Sequence, residues 1–191
     1  MSTTVAGSRP IFQLILEVIT GGARLSIKGL NTGVYLPQGS LINVNEETRR
    51  AVLVKTARVV NKKAAGTGVH IEKGSHVQVG TVFAPEGGGT ARAVASITEG
   101  DTTDYLVTTG TFPAVGTGVV LYEATGAGTG ATNLAAKVLP NGLLHLDAEV
   151  GTGNQGISVF KRGTAYKRRI QPHTAAMAAA LPQTIQLSTS Q

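Results

Sequence analysis

The chain has 191 residues and a net charge of +6, and its apolar share of 41% is mainly aliphatic, since it contains four Phe, four Tyr and no Trp. The absence of Cys excludes disulfides and thiolate metal sites. Charged residues make up 15% of the chain, below the roughly 25% of typical soluble domains, which favours a surface that is largely covered by neighbouring chains.

The N-terminal part predicts an arm followed by a β-hairpin. Residues 1–10 are small and polar, and the β-rich runs FQLILEVIT and ARLSIKG then flank Gly21 and Gly22. Because glycine readily adopts positive φ, this pair is typical of a two-residue hairpin turn.

The first strand of this hairpin is apolar on both faces. Phe12, Leu14, Leu16 and Val18 occupy one face, and Ile15 and Ile19 occupy the other. A strand of this kind is covered on both sides, and for a hairpin at the edge of a domain the second cover is a partner chain or a neighbouring element.

The middle of the chain predicts an all-β barrel or sandwich. Short runs rich in β-branched residues are separated by glycine-containing turns, without alternating helices. The predicted strands cover residues 51–60, 69–72, 76–83, 91–98, 105–109, 118–124, 143–150 and 157–161.

The C-terminal part predicts a short helix and a tail. Residues 174–181 read TAAMAAAL between Pro172 and Pro182, which delimits a helix of about two turns. In the tail that follows, Ile185 and Leu187 alternate with polar residues, so the tail either adds as a strand to the sheet edge of another subunit or is disordered.

The side chains that usually perform chemistry do not form a recognisable constellation. His70 and His76 flank a turn without a third ligand, and the run EGDTTD at 99–104 lacks the ligand spacing of a helix-loop-helix calcium site, so we expect it to be a solvated turn. The glycine clusters at 87–89 and 126–130 do not fit the phosphate-loop pattern. We therefore predict no catalytic residue, no cofactor and no metal.

The basic run KRGTAYKRRI at 161–170 is open to several interpretations. In a strand, Lys167 and Arg169 share one face and Arg168 lies on the other, so they form no single stripe. They contact carboxylates of a partner, keep an exposed edge soluble, or contact phosphates. Because single-strand binding needs interleaved aromatic residues, we do not expect nucleic acid as the partner.

From Leu36 to about Ile170, the chain resembles the head fiber proteins of tailed phages and, more loosely, small trimeric head decoration proteins. The segments that carry the resemblance are LPQGSLINVNEETRRAVLVKTARVV, HIEKGSHVQVGTVF and GVVLYEA. Within them the matching positions are Leu36, Pro37, Gly39, Lys55, Thr56, Arg58, Val59, Ile71, Lys73, Gly74, Val79, Gly80, Val120 and Leu121. The resemblance depends on the order and spacing of these segments rather than on any single motif.

The resemblance implies a virion structural protein on the outside of a capsid, without catalysis. Its partners would be the major capsid protein, other copies in a homotrimer, and other head fiber proteins. The chain also has no apolar run of about 18 residues to cross a membrane and no signal-peptide features, so we expect synthesis in the cytoplasm of a bacterial host. Two alternatives are a carbohydrate- or receptor-binding virion module, for which aromatic residues are few, and a basic connector component that contacts nucleic acid.

We therefore expect an arm and hairpin over residues 1–33, a barrel or sandwich over 34–170, and a helix with a tail over 171–191. The residues expected to contact partner chains are Phe12, Leu14, Ile15, Leu16, Ile19, Lys167, Arg168, Arg169, Ile185 and Leu187.

Overall fold

The prediction of an all-β fold with one short C-terminal helix is confirmed by a computed structural model of the protein. The structure describes residues 10–61, 64–126, 129–132, 134–153 and 155–189. Its strands form a closed five-stranded barrel and a second sheet curved into a half-barrel.

The strands are numbered in chain order. The barrel contains β1 (Phe12–Leu25), β3 (Leu41–Asn45), β4 (Arg50–Leu53), β12 (Gly142–Leu144), β14 (Gln155–Tyr166) and the added strand β15 (Ile185–Ser188). The half-barrel contains β5 (Thr56–Arg58), β6 (Gly66–Glu72), β7 (Val82–Pro85), β8 (Thr90–Thr98), β9 (Thr103–Phe112), β10 (Val120–Glu123) and β11 (Thr129–Thr132). A small sheet pairs β2 (Tyr35–Leu36) with β13 (Ala148–Glu149).

The barrel closes through its two longest strands, β1 and β14. The strand order is β1-β4-β3-β12-β14, and the antiparallel pairing of β1 with β14 completes the circle. Aliphatic side chains such as Leu25, Ile42, Leu53 and Val159 fill the interior. In β4 the buried residues alternate with exposed ones, as expected for a strand with one face inside, whereas in β3 Leu41 and Ile42 are both buried because Leu41 packs in a second core.

The predicted hairpin at Gly21 and Gly22 is wrong. β1 continues through both glycines, and its two halves pair with the same strand: Ile19 lies opposite Val159, and Ala23 lies opposite Ile157. The register shifts between these two pairs, so the glycines accommodate a local irregularity rather than a chain reversal. The segment predicted as a separate hairpin is therefore part of the barrel wall.

The half-barrel is inserted into the barrel sequence between β4 and β12. Its strands follow the order β5-β10-β7-β8-β9-β6, with β11 paired to β8, and Phe83, Phe112 and Leu121 belong to its own core. One isolated bridge, between Val59 and Ile71, links the end of β5 to β6. Gly74 and Gly80, two of the positions that carry the family resemblance, both adopt positive φ.

Gln171 joins the two sheets. Its Nε2 donates to the carbonyl oxygen of Val54 (2.7 Å) and to Thr56 Oγ1 (2.9 Å), while its Oε1 accepts from the Leu41 N–H (2.9 Å). Thr56 Oγ1 in turn donates to the carbonyl oxygen of Pro172 (2.5 Å). The chain passes from barrel to half-barrel at residues 54–56, so this one amide fixes the junction.

The helix α1 (Ala175–Ala180) follows directly. Thr174 caps it by accepting a hydrogen bond from the Met177 N–H (3.1 Å), and the Met177 side chain is buried. Beyond it, the tail pairs as β15 in parallel with β14 of its own chain, so neither predicted state of the tail, disorder or addition to another subunit, is what the structure shows. No helix in the described part of the chain is long and apolar enough to span a bilayer.

The closure between β1 and β14 depends on Gly163. This residue has a φ of +135°, and a Cβ atom there would overlap the carbonyl oxygen of Leu14. We expect Gly163→Ala to lower the free energy of unfolding by about 3 kcal/mol, because backbone strain adds to the clash, as measured by urea denaturation.

The matched control is Gly153→Ala, since no atom lies within 4 Å of the position that a Cβ would take at Gly153, and its φ is not positive. Equal effects of the two substitutions would contradict the importance of the close approach.

Candidate interaction surface

Three consecutive apolar side chains of β1 are exposed. Leu14, Ile15 and Leu16 have exposed fractions of 49%, 48% and 58%. Neighbouring residues of a strand point to opposite faces, so apolar surface is exposed on both sides of β1. Contiguous patches of this kind are typical of interaction sites.

The same part of β1 forms a sheet edge. β14 pairs with one side of β1, and β4 pairs with the other side only at Arg24 and Leu25. Among the described residues, no strand pairs with the outer edge of residues 12–19. Its backbone N–H and C=O groups can therefore accept an added strand. We call this edge, together with Leu14, Ile15 and Leu16, the β1 surface.

β-Bulges explain which side chains of β1 are exposed. The pairing of β1 with β14 shifts between Phe12 and Leu14 and again between Ile15 and Glu17. Each shift breaks the regular alternation, so Phe12 and Leu14 differ in burial although the sequence predicts them on one face. Phe12 is 8% exposed and stacks on Phe160 with ring centroids 4.4 Å apart.

The other apolar residues predicted as partner contacts lie mostly inside the chain. Ile185 is buried in the same core as Phe12, and Leu187 packs against that core. Ile19 is half-buried. The predicted contact set is therefore divided: the structure brings Leu14, Ile15 and Leu16 together on the surface and Phe12 and Ile185 together beneath it.

A basic turn lies at one end of the β1 surface. Residues 167–169 follow β14, and the Tyr166 N–H donates to the carbonyl oxygen of Ile11, directly before β1. Arg169 stacks on the Tyr166 ring (4.6 Å to the centroid), and its Nη1 donates to the Pro10 carbonyl oxygen (2.5 Å). Lys167 and Arg168 are exposed, so an acidic partner surface would complement this turn.

The ionisable side chains near the junction of the sheets have shifted pKa values. Burial and the nearby charge of Lys55 lower the pKa of His76 to about 4. Burial also lowers the pKa of Lys55, although Glu123 acts in the opposite direction. His76 was expected at a turn on the surface, but it is half-buried and neutral at pH 7.

The run at 99–104 is only partly the solvated turn that the sequence predicts. Asp101 is exposed, whereas Asp104 is buried on β9, in phase with the inward-facing Leu106 and Thr108. Sequence reasoning missed this carboxylate, although a polar residue in phase with buried ones was a usable signal. Within the described ranges, no three His, Asp or Glu side chains are grouped so as to hold a metal ion.

Comparisons with protein-family models, curated proteins and solved structures found no match for this chain. The resemblance to phage head proteins therefore rests on the sequence motifs alone.

The lowered pKa of His76 predicts a loss of stability in mild acid. An unfolded histidine binds a proton below its ordinary pKa of about 6.5, whereas folded His76 resists protonation until about pH 4. Stability therefore falls as the pH decreases through this window, by up to about 3 kcal/mol. His76→Gln should remove much of this loss, as measured by urea unfolding at both ends of the window.

His173→Gln is a useful comparison, because burial also lowers the pKa of His173 and its effect has the same sign. If the His76→Gln protein lost as much stability in acid as the unmodified protein, the lowered pKa of His76 would not be the cause of that loss.

Proposed function

We propose that this protein is a non-enzymatic structural subunit that associates with other chains through the β1 surface. The observation that carries the proposal is the coincidence of an unpaired sheet edge with three exposed aliphatic side chains. Natural proteins normally cover or charge such edges to avoid unwanted pairing. A long apolar edge is therefore best explained by a partner that covers it.

The first partner that we propose is another copy of the chain. β1, β14 and β15 lie side by side, so β1 and β15 are two different edges of one three-stranded region. Pairing β1 of one copy with β15 of the next is a head-to-tail contact, which forms a ring, rather than a two-fold dimer, when the rotation between copies closes. This geometry is consistent with the homotrimer that the sequence resemblance implies.

The biological setting that we propose is the exterior of a tailed-phage capsid, as a head fiber or decoration protein bound to the major capsid protein. The support comes from the ordered motifs between Leu36 and Leu121. The low charged fraction and the exposed β1 surface agree with a protein that works by contact. The basic turn at 167–169 would meet acidic side chains of the capsid protein rather than nucleic acid.

Self-association is tested by substituting the most exposed residue of the patch. We expect Leu16→Lys to weaken assembly at least about tenfold, because the partner must then bury a charge in an apolar contact. Size-exclusion chromatography with light scattering gives the mass as a function of concentration.

Leu146→Lys is the matched control, since Leu146 is similarly exposed (56%) but lies outside the β1 surface. Self-association through β1 would be refuted by an unmodified protein that is monomeric at all concentrations, or by equal effects of the two substitutions.

The capsid setting is tested separately by cryo-electron microscopy of virions produced with and without this chain. We expect density that fits the barrel and half-barrel on the outer shell, present only when the chain is supplied. Virions whose shells are identical in both preparations would contradict the assignment and leave self-association to be judged by its own test.

A further inference from the structure

A groove of about 750 Å³ opens where the half-barrel meets the barrel. One wall is formed by residues 30–35, which lie between β1 and β2 and at the start of β2, and the other by residues 71–79 with the ends of β8 and β9. Its apolar lining includes Val34, Ile71, Val77, Ile97 and Leu106. The groove shares no residue with the β1 surface.

Asp104 contributes to this groove a carboxylate with one unpaired oxygen. It lies opposite Ile71 in the pairing of β9 with β6, and only 8% of its surface is exposed. Its Oδ1 is buried and accepts no hydrogen bond from the described residues. Because a buried acceptor without a donor is costly, a ligand that donates to Asp104 would relieve an existing deficit.

The neighbouring polar groups are largely neutral. The side-chain amides of Gln78 and Asn31 are hydrogen-bonded to each other across the groove (2.7 Å), and Ser75 Oγ donates to the Glu72 carbonyl oxygen (2.8 Å). His76 is neutral at pH 7. Amides and hydroxyls both donate and accept, which suits a ligand that carries hydroxyl groups.

The charges around the groove do not call for a cationic ligand. Lys73 and Glu99 line it together with Asp104, and the charge of Lys55 reaches His76. Three carboxylates, those of Glu99, Asp104 and Asp147, are therefore accompanied by two ammonium groups, so most of the negative charge around the groove is balanced. Lys73 Nζ donates to the Gly100 carbonyl oxygen (2.8 Å), and no ion pair joins Lys73 to Asp104 among the described residues.

Tyr35 adds an aromatic surface to the same groove. Its side chain is 57% exposed, and interaction with the Asp147 carboxylate raises the pKa of its hydroxyl. The ring surface is therefore accessible beside the groove. An exposed aromatic face beside hydrogen-bonding groups can pack against the C–H face of a sugar.

We propose that this groove binds a neutral saccharide, with Asp104 accepting a hydrogen bond from a sugar hydroxyl and the Tyr35 ring packing against the sugar. Binding of this kind depends only on the groove and not on the assembly function proposed above. It assigns a ligand site to a part of the molecule that the β1 surface leaves unused.

The test is a titration of the full-length, ¹⁵N-labelled protein, followed by amide chemical shifts, with glucose, galactose, N-acetylglucosamine and their disaccharides. We expect at least one sugar to shift the amide signals of residues 71–79 and 104–106. Tyr35→Ala and Asp104→Leu should each weaken this binding about tenfold, the effect of losing one good contact.

Asp101→Leu is the control, because Asp101 lies in the turn directly before β9 but is exposed; it should leave binding unchanged. Thermal unfolding of each variant verifies that it is folded. Three results would overturn the proposal: no shift with any sugar, binding of n-butylamine in place of sugars, or sugar binding that survives both Tyr35→Ala and Asp104→Leu.

Discussion

The pairing of β1 with β14 is the constraint on which the rest of the structure depends. It closes the barrel, and it brings together residues more than a hundred positions apart in the sequence. It also requires a glycine at position 163, where the Leu14 backbone approaches. β14 extends beyond the closed barrel, where it pairs with β15. The first half of β1 stays paired with this extension and so lies outside the closed barrel wall. The exposed edge of β1 therefore results directly from how the barrel is closed.

Local patterns predicted the elements better than their partners. Alternating β-branched residues correctly indicated strands such as β6, β8 and β9, and Pro172 and Pro182 delimited the helix because proline limits helix extension. The hairpin at Gly21 and Gly22 was wrong because two glycines permit either a turn or an irregular strand, and only the distant β14 decides between them. The sequence also did not predict that the half-barrel strands are inserted between β4 and β12, because this arrangement too depends on pairing between distant strands.

For the candidate surfaces, too, residue type was informative whereas tertiary pairing could not be predicted. Leu14, Ile15 and Leu16 were predicted from their apolar character, but the β-bulges that bury Phe12 beside them depend on tertiary pairing. The tail residue Ile185 was assigned to a partner because its own sheet could not be foreseen. Asp104 was missed because the run around it contains several polar residues, and only the register of β9 separates this buried carboxylate from its exposed neighbours.

Together, these features support the proposal of a protein that acts by contact, with an apolar edge for assembly and a separate groove at the junction of its sheets. The central claim is that another chain covers the β1 edge. Hydrogen–deuterium exchange of those amides of residues 12–19 that do not donate to β14, followed as the protein is diluted, tests this directly. We predict slow exchange in concentrated protein and rapid exchange on dilution, confined to this edge; rapid exchange at every concentration, with a constant monomer mass, would contradict the account.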